Sequence, residues 1–414
     1  MSISQNFPTS SPSLSLDFAN VKKLDPRVTF ARATTGAYFD ANGLLRTASA
    51  NVARFDHNPV TGESLGLLVE EQRSNLLLRS EEFGNAAWSK SNVTVDSDVV
   101  VAPDGTLTGN KVVENTTSAV HVVAQNLSVT SGTTYTVSGF IKKAERGFAL
   151  IALINGFPTT SIQINLTTGV VSTGTGTPLN AFSQDVGNGW FRVGFSLVAN
   201  STTNAAANFY TSNNGEWATR IYLGDGYSGI FIWGASLEQG AFPTSYIPTV
   251  ASQVTRSADS ASMTGTNFSE WYRADEGTLY ADYVATQTNI GTVVSVASTG
   301  NTNPLGIFEN WAGTNVRVGI PAVAFLDSSG VAITANTQYK TAFAIKSGDF
   351  ASSTNASTVQ TSSGDYPSYV NNAISLTIGG PSSAGSFQYV NSTIKKLAYY
   401  PARLTNEQLQ ALTS

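Results

Sequence analysis

The sequence predicts an all-β protein of tandem β-sandwich, jelly-roll domains, with a short N-terminal β section and a short C-terminal helix. Three observations predict it. Runs of alternating apolar and polar residues recur along the chain with turn residues between them. Of 414 residues, 36 are Gly and only 12% are charged, and Ser, Thr and Asn crowd every apparent turn, a usage that suits strands and tight turns. One convincing helix start occurs, close to the C-terminus. No blade-length repeat is evident, which favours sandwiches over a propeller.

A first section, residues 1–76, contains Leu14-Ser15-Leu16-Asp17-Phe18, Val28-Thr29-Phe30 and the turn Asp40-Ala41-Asn42-Gly43. It is too short and interrupted for a large core of its own, so it is expected to pack on another section or on a neighbouring chain. The second section, residues 77–258, is the expected jelly roll. In it Tyr135, Val137, Gly139 and Ile141 alternate with Thr134, Thr136, Ser138 and Phe140, and Phe191, Val193, Phe195 and Leu197 alternate with Arg192, Gly194 and Ser196. Each pattern gives one apolar face. Phe148–Ile154 and Gly229–Trp233 are apolar on both faces, as central strands covered on each side would be. The third section, residues 259–414, has strand patterns at Gly277–Tyr283, Tyr339–Ile345, Ser375–Gly379 and Ile394–Tyr400. At its end Thr405 and Gln408 form a capping box and Leu404 and Leu409 a hydrophobic staple, which predicts a helix over 406–412.

Two resemblances follow from these residues. The run Gly66–Ser80, then Phe83, Trp88, Pro103-Asp104-Gly105, Gly189-Trp190-Phe191-Arg192, Trp233–Glu238 and Thr244–Thr249, resembles a family of bacteriophage virion proteins that carry carbohydrate-binding-module-like jelly rolls. The strand order of the third section is similar to laminin-G and concanavalin-like lectin sandwiches. The acidic metal-binding positions usual in those lectins are not recognisable here. The first resemblance implies a non-enzymatic fibre, spike or decoration protein that adheres to host surface glycans, assembles in the host cytoplasm with other virion proteins and leaves by lysis. The alternative reading is a carbohydrate-active enzyme, or its binding module, acting on bacterial surface polysaccharide. A homotrimer is expected, because the first section and the sandwich edges need covering and closed symmetry limits growth.

The chemistry available to the chain is sparse. Cysteine is absent, and His57 and His121 are the only histidines, so thiolate and zinc sites have no ligand set. No cofactor and no metal is expected. A turn-borne structural calcium at Asp104 or Asp225 stays open. The net charge of −5 and the absence of a Lys/Arg cluster argue against nucleic acid. Met1–Pro8 has no secretory-signal pattern, and no apolar run reaches bilayer length, so membrane insertion is not expected. Among carboxylates, Glu70-Glu71, Glu81-Glu82, Asp225, Glu238 and Asp275-Glu276 are candidates for a glycosidase pair, but Glu70, Glu71 and Arg73 read better as a buried ion-pair knot fixing adjacent domains. The residues expected to touch a glycan are Trp88, Trp217, Tyr222 and Tyr227, aromatics in polar or Gly-rich settings whose flat faces suit sugar C–H surfaces. Trp190, alternating with Phe191, is read from spacing as facing outwards, whereas the resemblance implies that it packs.

Overall fold

Alternation along strand Trp190–Val198 turns Val193, Phe195 and Leu197 to one side, where they meet Tyr135, Val137 and Ile141 of strand Thr134–Lys143 in a shared core. The computed structural model that establishes this describes residues 7–285, 291–298, 304–311, 315–320, 324–363, 372–381 and 388–414. The N-terminal stretch read as lacking a signal begins outside the described residues. Two six-stranded antiparallel sheets enclose the core. One runs Leu179–Asp185, Trp190–Val198, Thr134–Lys143, Gly229–Gln239, Gly109–Glu114, Val93–Val100. The other runs Val171–Thr175, Thr160–Asn165, Phe148–Ile154, Thr203–Ser212, Val122–Val129, Ser89–Ser91. This is the jelly-roll-like sandwich.

The doubly apolar strands are covered on both faces, as their composition predicts. Ala149, Ile151 and Leu153 enter the central core, while Leu150 and Ala152 pack outside it with Val122 and Tyr210. In Gly229–Gln239, Ile230 and Ile232 point inwards and Phe231 and Trp233 outwards. A register shift opposite Ser138 to Phe140 follows, with Gly234 at φ 60°, and it returns Ala235 and Leu237 to the core. One extra residue in a strand resets its phase.

The second sandwich is assembled from both ends of the chain. One sheet runs Gln360–Ser362, Phe350–Thr354, Thr337–Lys346, Glu276–Ala285, Ser392–Tyr400, Ser64–Val69, Arg54–His57. Strand Leu14–Asp17 pairs with Ser392–Tyr400, with Leu14 opposite Tyr399 and Leu16 opposite Leu397, while Leu67 lies opposite Ile394 farther along the same strand. The opposing sheet begins Thr29–Ala31, Ser260–Thr264, Ser375–Ile378, Gly291–Ala297. Leu14, Leu16, Phe18, Val28, Leu67 and Val69 share one core with Met263, Leu279, Tyr283, Ile378 and Leu397. Phe18 opens a short helix, Phe18–Val21, instead of extending the strand, because the Asp17 carboxylate caps it by accepting from Asn20 N–H.

Sheet pairing therefore redraws the division into 1–76, 77–258 and 259–414. The first section is no separate attachment piece. It supplies strands to the C-terminal sandwich, and the jelly roll is inserted into that sandwich. Strand Arg73–Asn75, where the chain enters the jelly roll, pairs antiparallel with Val254–Arg256, where it leaves. The buried Asn75 side chain locks the entry by donating to the Ala235 and Ile247 carbonyls and accepting from the Leu77 and Leu237 amides. Burial of the first section, one of the two motives for expecting a threefold ring, is met within the chain.

The remaining strands of the first section, Gly36–Phe39 and Leu45–Ala48, form a hairpin. Its Ala37, Phe39 and Leu45 cover Trp190, Trp233 and Tyr246 on the outside of the jelly roll. Trp190 does point away from the central core, but it is 1% exposed and its Nε1 donates to the Val101 carbonyl. The C-terminal helix spans Asn406–Leu412, with the Thr405–Gln408 capping box formed and Leu404 and Leu409 buried.

Two outcomes follow from this arrangement. Six buried side chains at about 1.5–3 kcal/mol each put the first section's contribution on the order of 10 kcal/mol, comparable with a whole domain's net stability. A chain beginning at residue 76 should therefore lose the folded C-terminal sandwich, seen as rapid proteolysis within 259–414; a sandwich that stays protected would refute the shared core. Thr405→Ala should lower stability by about 1 kcal/mol in chemical denaturation through loss of the N-cap acceptor.

Candidate functional site

The charged junction is buried, with three arginines, Arg32, Arg54 and Arg256, around two carboxylates, Glu70 and Asp259. Arg54, at the start of its strand, places Nη1 2.7 Å from Glu70 Oε2 and Nη2 2.5 Å from Asp259 Oδ2. Arg32 Nη1 lies 3.0 Å from Asp259 Oδ1, and Arg256 Nη1 3.4 Å from Glu70 Oε2. Glu70 also accepts from the Ser245 amide and hydroxyl, each at 2.6 Å, and Asp259 accepts from the Glu70 amide at 2.9 Å. Every ionised side chain in this knot has its charge partner in the protein, leaving no carboxyl free for proton transfer. Burial works against ionisation of Glu70, yet Arg256, Arg54 and Ser245 hold its pKa down at about 2. Beside the knot, burial pushes the Asp56 carboxyl up to about 7, against the lowering effect of the Phe39 amide and Arg54. Glu70 occupies the knot foreseen from sequence. Glu71 and Arg73 form an adjoining pair 2.5 Å apart, and Arg32, Arg54, Arg256 and Asp259, from distant parts of the chain, complete the knot unforeseen.

The other candidate carboxylates are also engaged. Glu81 accepts from the Tyr246 hydroxyl at 3.0 Å, and Glu238 from the Thr244 hydroxyl at 2.5 Å. Asp275 and Glu276 both pair with Arg273. Asp225 holds its own turn through the Tyr227 amide and the Ser228 amide and hydroxyl, and Asp104 accepts from the Thr106 amide and hydroxyl. Among the described residues no group of three His, Cys, Asp or Glu side chains is placed to hold a metal. His57 is buried with Nδ1 3.0 Å from the Phe39 carbonyl. His121 is buried between the carbonyls of Asn92 and Tyr222.

The four aromatic candidates divide. Trp88 is core: it is 1% exposed, stacks 4.5 Å from Phe83, and donates from Nε1 to the Arg79 carbonyl. Its polar neighbours in sequence belong to the turn that carries it into the jelly roll. Tyr222 is also withdrawn, because its hydroxyl donates to the buried Glu114 at 2.6 Å and its ring packs 4.7 Å from His121. Burial, with the Glu114 hydrogen bond, raises its pKa.

Trp217 and Tyr227 remain at the surface of the excursion that joins Thr203–Ser212 to Gly229–Gln239. Trp217 is half-buried, edge-on to Tyr210 at 5.7 Å, with the Arg220 guanidinium 4.0 Å from its ring centre. Tyr227 is 66% exposed and carries the Lys111 ammonium 4.6 Å from its ring. Ile221 and Leu223 are exposed beside them in sequence. Beneath the excursion Arg146 bonds the buried Glu114, which also accepts from the Asp225 amide. Arg220, Lys111 and this anchoring pair escaped the sequence reading; the Asp225-Gly226 turn was its one local signal.

No family model matches the chain, and no curated protein matches it in sequence. Solved structures similar to it include a heptameric SAP-like pentraxin from Limulus polyphemus, 18% identical over 34% of this chain and 70% of that one, TM-score 0.28. A Trypanosoma rangeli sialidase in complex with 2,3-difluorosialic acid is 10% identical over 76% of this chain and 69% of that one, TM-score 0.30. Domains LG4-5 of the mouse laminin α1 chain are 10% identical over 68% of this chain and 86% of that one, TM-score 0.26. These likenesses carry no activity or ligand across to this chain. The expectation of a bacteriophage virion protein is corrected: the similar structures found include sialidases, a pentraxin and laminin domains, and nothing in them indicates a phage origin.

The knot sets a pH dependence. Asp56 binds a proton more readily folded than unfolded, so its contribution is fully present below about pH 4 and is lost as pH rises through 7. Glu70 is the reverse: its contribution is present above about pH 4.5 and is lost as pH falls through 2. Asp56→Asn should flatten the decline in denaturation free energy between pH 5 and pH 8 relative to the parent protein. A decline of unchanged slope in the variant would exclude Asp56 as its source.

Proposed function

We propose that the protein is a non-enzymatic saccharide-binding protein whose jelly roll presents Trp217 and Tyr227 to the ligand. The exposure of Tyr227, with 66% of its surface in solvent and a lysine ammonium over its ring, carries this reading. Aromatic rings with polar edges pack on the C–H faces of sugars, while neighbouring cationic groups donate to ring hydroxyls. Arg220 lies against the Trp217 ring and donates from Nη1 to the Trp217 carbonyl, and Lys111 lies over the Tyr227 ring and pairs with Glu145, so both cations border the rings. The Asp225 turn and the Glu114–Arg146 pair hold the excursion from below. Binding without turnover is supported by the engagement of Glu70, Asp259, Glu114 and Glu238 in internal ion pairs.

A glycan array followed by tryptophan-fluorescence titration tests this. Trp217→Ala and Tyr227→Ala should each weaken binding by about 1 kcal/mol, about fivefold, without changing stability comparably. Should the parent protein bind no glycan on the array while binding proteins through the exposed Ile221 and Leu223, the excursion is a protein contact instead.

A further inference from the structure

A second surface, at the opposite end of strand Gly229–Gln239 from the aromatic excursion, has the chemistry of a polar binding site. The entry strand Arg73–Asn75, the turn at Thr133 and Thr134, and the end of strand Gly229–Gln239 border an open cavity of about 630 Å³, closed on another side by Gln388. Its lining includes Glu71, Arg73, Ser74, Thr133, Gln239 and Gln388.

Arg73 is held there in one orientation. Its Nη2 lies 2.5 Å from Glu71 Oε1, and its guanidinium sits 4.7 Å from the Phe242 ring centre. Nη1 occupies space that only a glycine leaves free, since a Cβ on Gly240 would lie 1.4 Å from it. The side chain is 7% exposed; Nε is buried and closed to a ligand, so contact from the cavity falls on the η nitrogens. Against five N–H donors the guanidinium has a single carboxylate contact among the described residues. On the wall of an open cavity, the Arg73 donors not taken by Glu71 are left to water or to a ligand that replaces it.

The charge of that ligand follows from Glu71. Arg73 and Glu71 already balance, and Glu71 keeps 22% of its side chain exposed, so an anionic ligand would bring like charge against its carboxylate. A hydroxyl avoids the conflict because it accepts from Arg73 and donates to Glu71. The amides of Gln239 and Gln388 and the hydroxyl of Thr133 both donate and accept, matching a ligand with many hydroxyls. We propose that this cavity binds a neutral sugar ring, one hydroxyl accepting from the Arg73 guanidinium and its neighbour donating to the Glu71 carboxylate. The site is independent of Trp217 and Tyr227 and joins residues of both sandwiches.

Saturation-transfer NMR and calorimetry of the full chain with the methyl glycosides of glucose, galactose and mannose, at up to about 20 mM, test the site. At least one should bind, and Arg73→Lys should weaken it by about tenfold or more. Because Arg73 also stabilises the entry strand, a second variant is needed. Gln239→Trp places an indole at an exposed position on the cavity wall and should block binding while the denaturation midpoint holds. Binding of none of the three glycosides overturns the proposal. So does binding that survives both substitutions but disappears in Trp217→Ala, or glucuronate binding more tightly than methyl glucoside.

Discussion

Arg54 grips Glu70 and Asp259 at once, and those two carboxylates lie on opposite sides of the inserted jelly roll in sequence. Glu70 precedes the insertion and Asp259 follows it, so the contact closes a loop that contains the whole jelly roll. Arg32 and Arg256 add a second cation to Asp259 and to Glu70, from the first section and the exit strand. Burying such charges costs several kcal/mol per ion, recovered only when all partners are present in good geometry. The knot therefore acts as a register pin: it is satisfied when entry strand, exit strand and first section are together, and strongly unfavourable when one is missing. Removal of a single partner from such a group typically costs about 3–5 kcal/mol.

Around this pin, the polar residues of the family-like motifs prove to be fasteners. Asn75 saturates its side-chain amide across two jelly-roll carbonyls and two amides. Tyr246 meets Ser80 and Glu81, while the Thr249 hydroxyl donates to the Leu77 carbonyl. Trp190 and Trp233, which would otherwise expose large apolar faces on the outside of the jelly roll, are sealed by the first section's hairpin. The two sandwiches are thus joined by charge at the knot and by aromatic packing at the hairpin.

The two surfaces proposed for ligands lie outside the buried knot. The jelly-roll excursion combines exposed aromatic rings with cations, whereas the cavity at Arg73 combines a fixed donor–acceptor pair with neutral polar groups. They differ in chemistry as well as place. Aromatic faces select the apolar side of a sugar, and a guanidinium–carboxylate pair selects its hydroxyls.

Strand-forming character, the doubly apolar central strands and the terminal helix were legible because each rests on local spacing: Val193, Phe195 and Leu197 share a face by period two, and Thr405 meets Gln408 within one turn. The knot was half legible, since Glu70 stands beside Glu71 and Arg73, but Arg32, Arg54, Arg256 and Asp259 carry no local signal of proximity. Trp88 and Tyr222 misled because polar neighbours in sequence need not be neighbours in space; Trp88 sinks against Phe83 and Tyr222 turns to a buried glutamate. Sequence by itself determined which segments become strands, how the helix is capped and which chemistries have no ligand set, all consequences of short-range pattern and composition. Tertiary structure alone decided that the first section completes the last sandwich, which aromatics are exposed and where Arg73 keeps unspent donors, because pairing and burial depend on contacts between residues hundreds of positions apart.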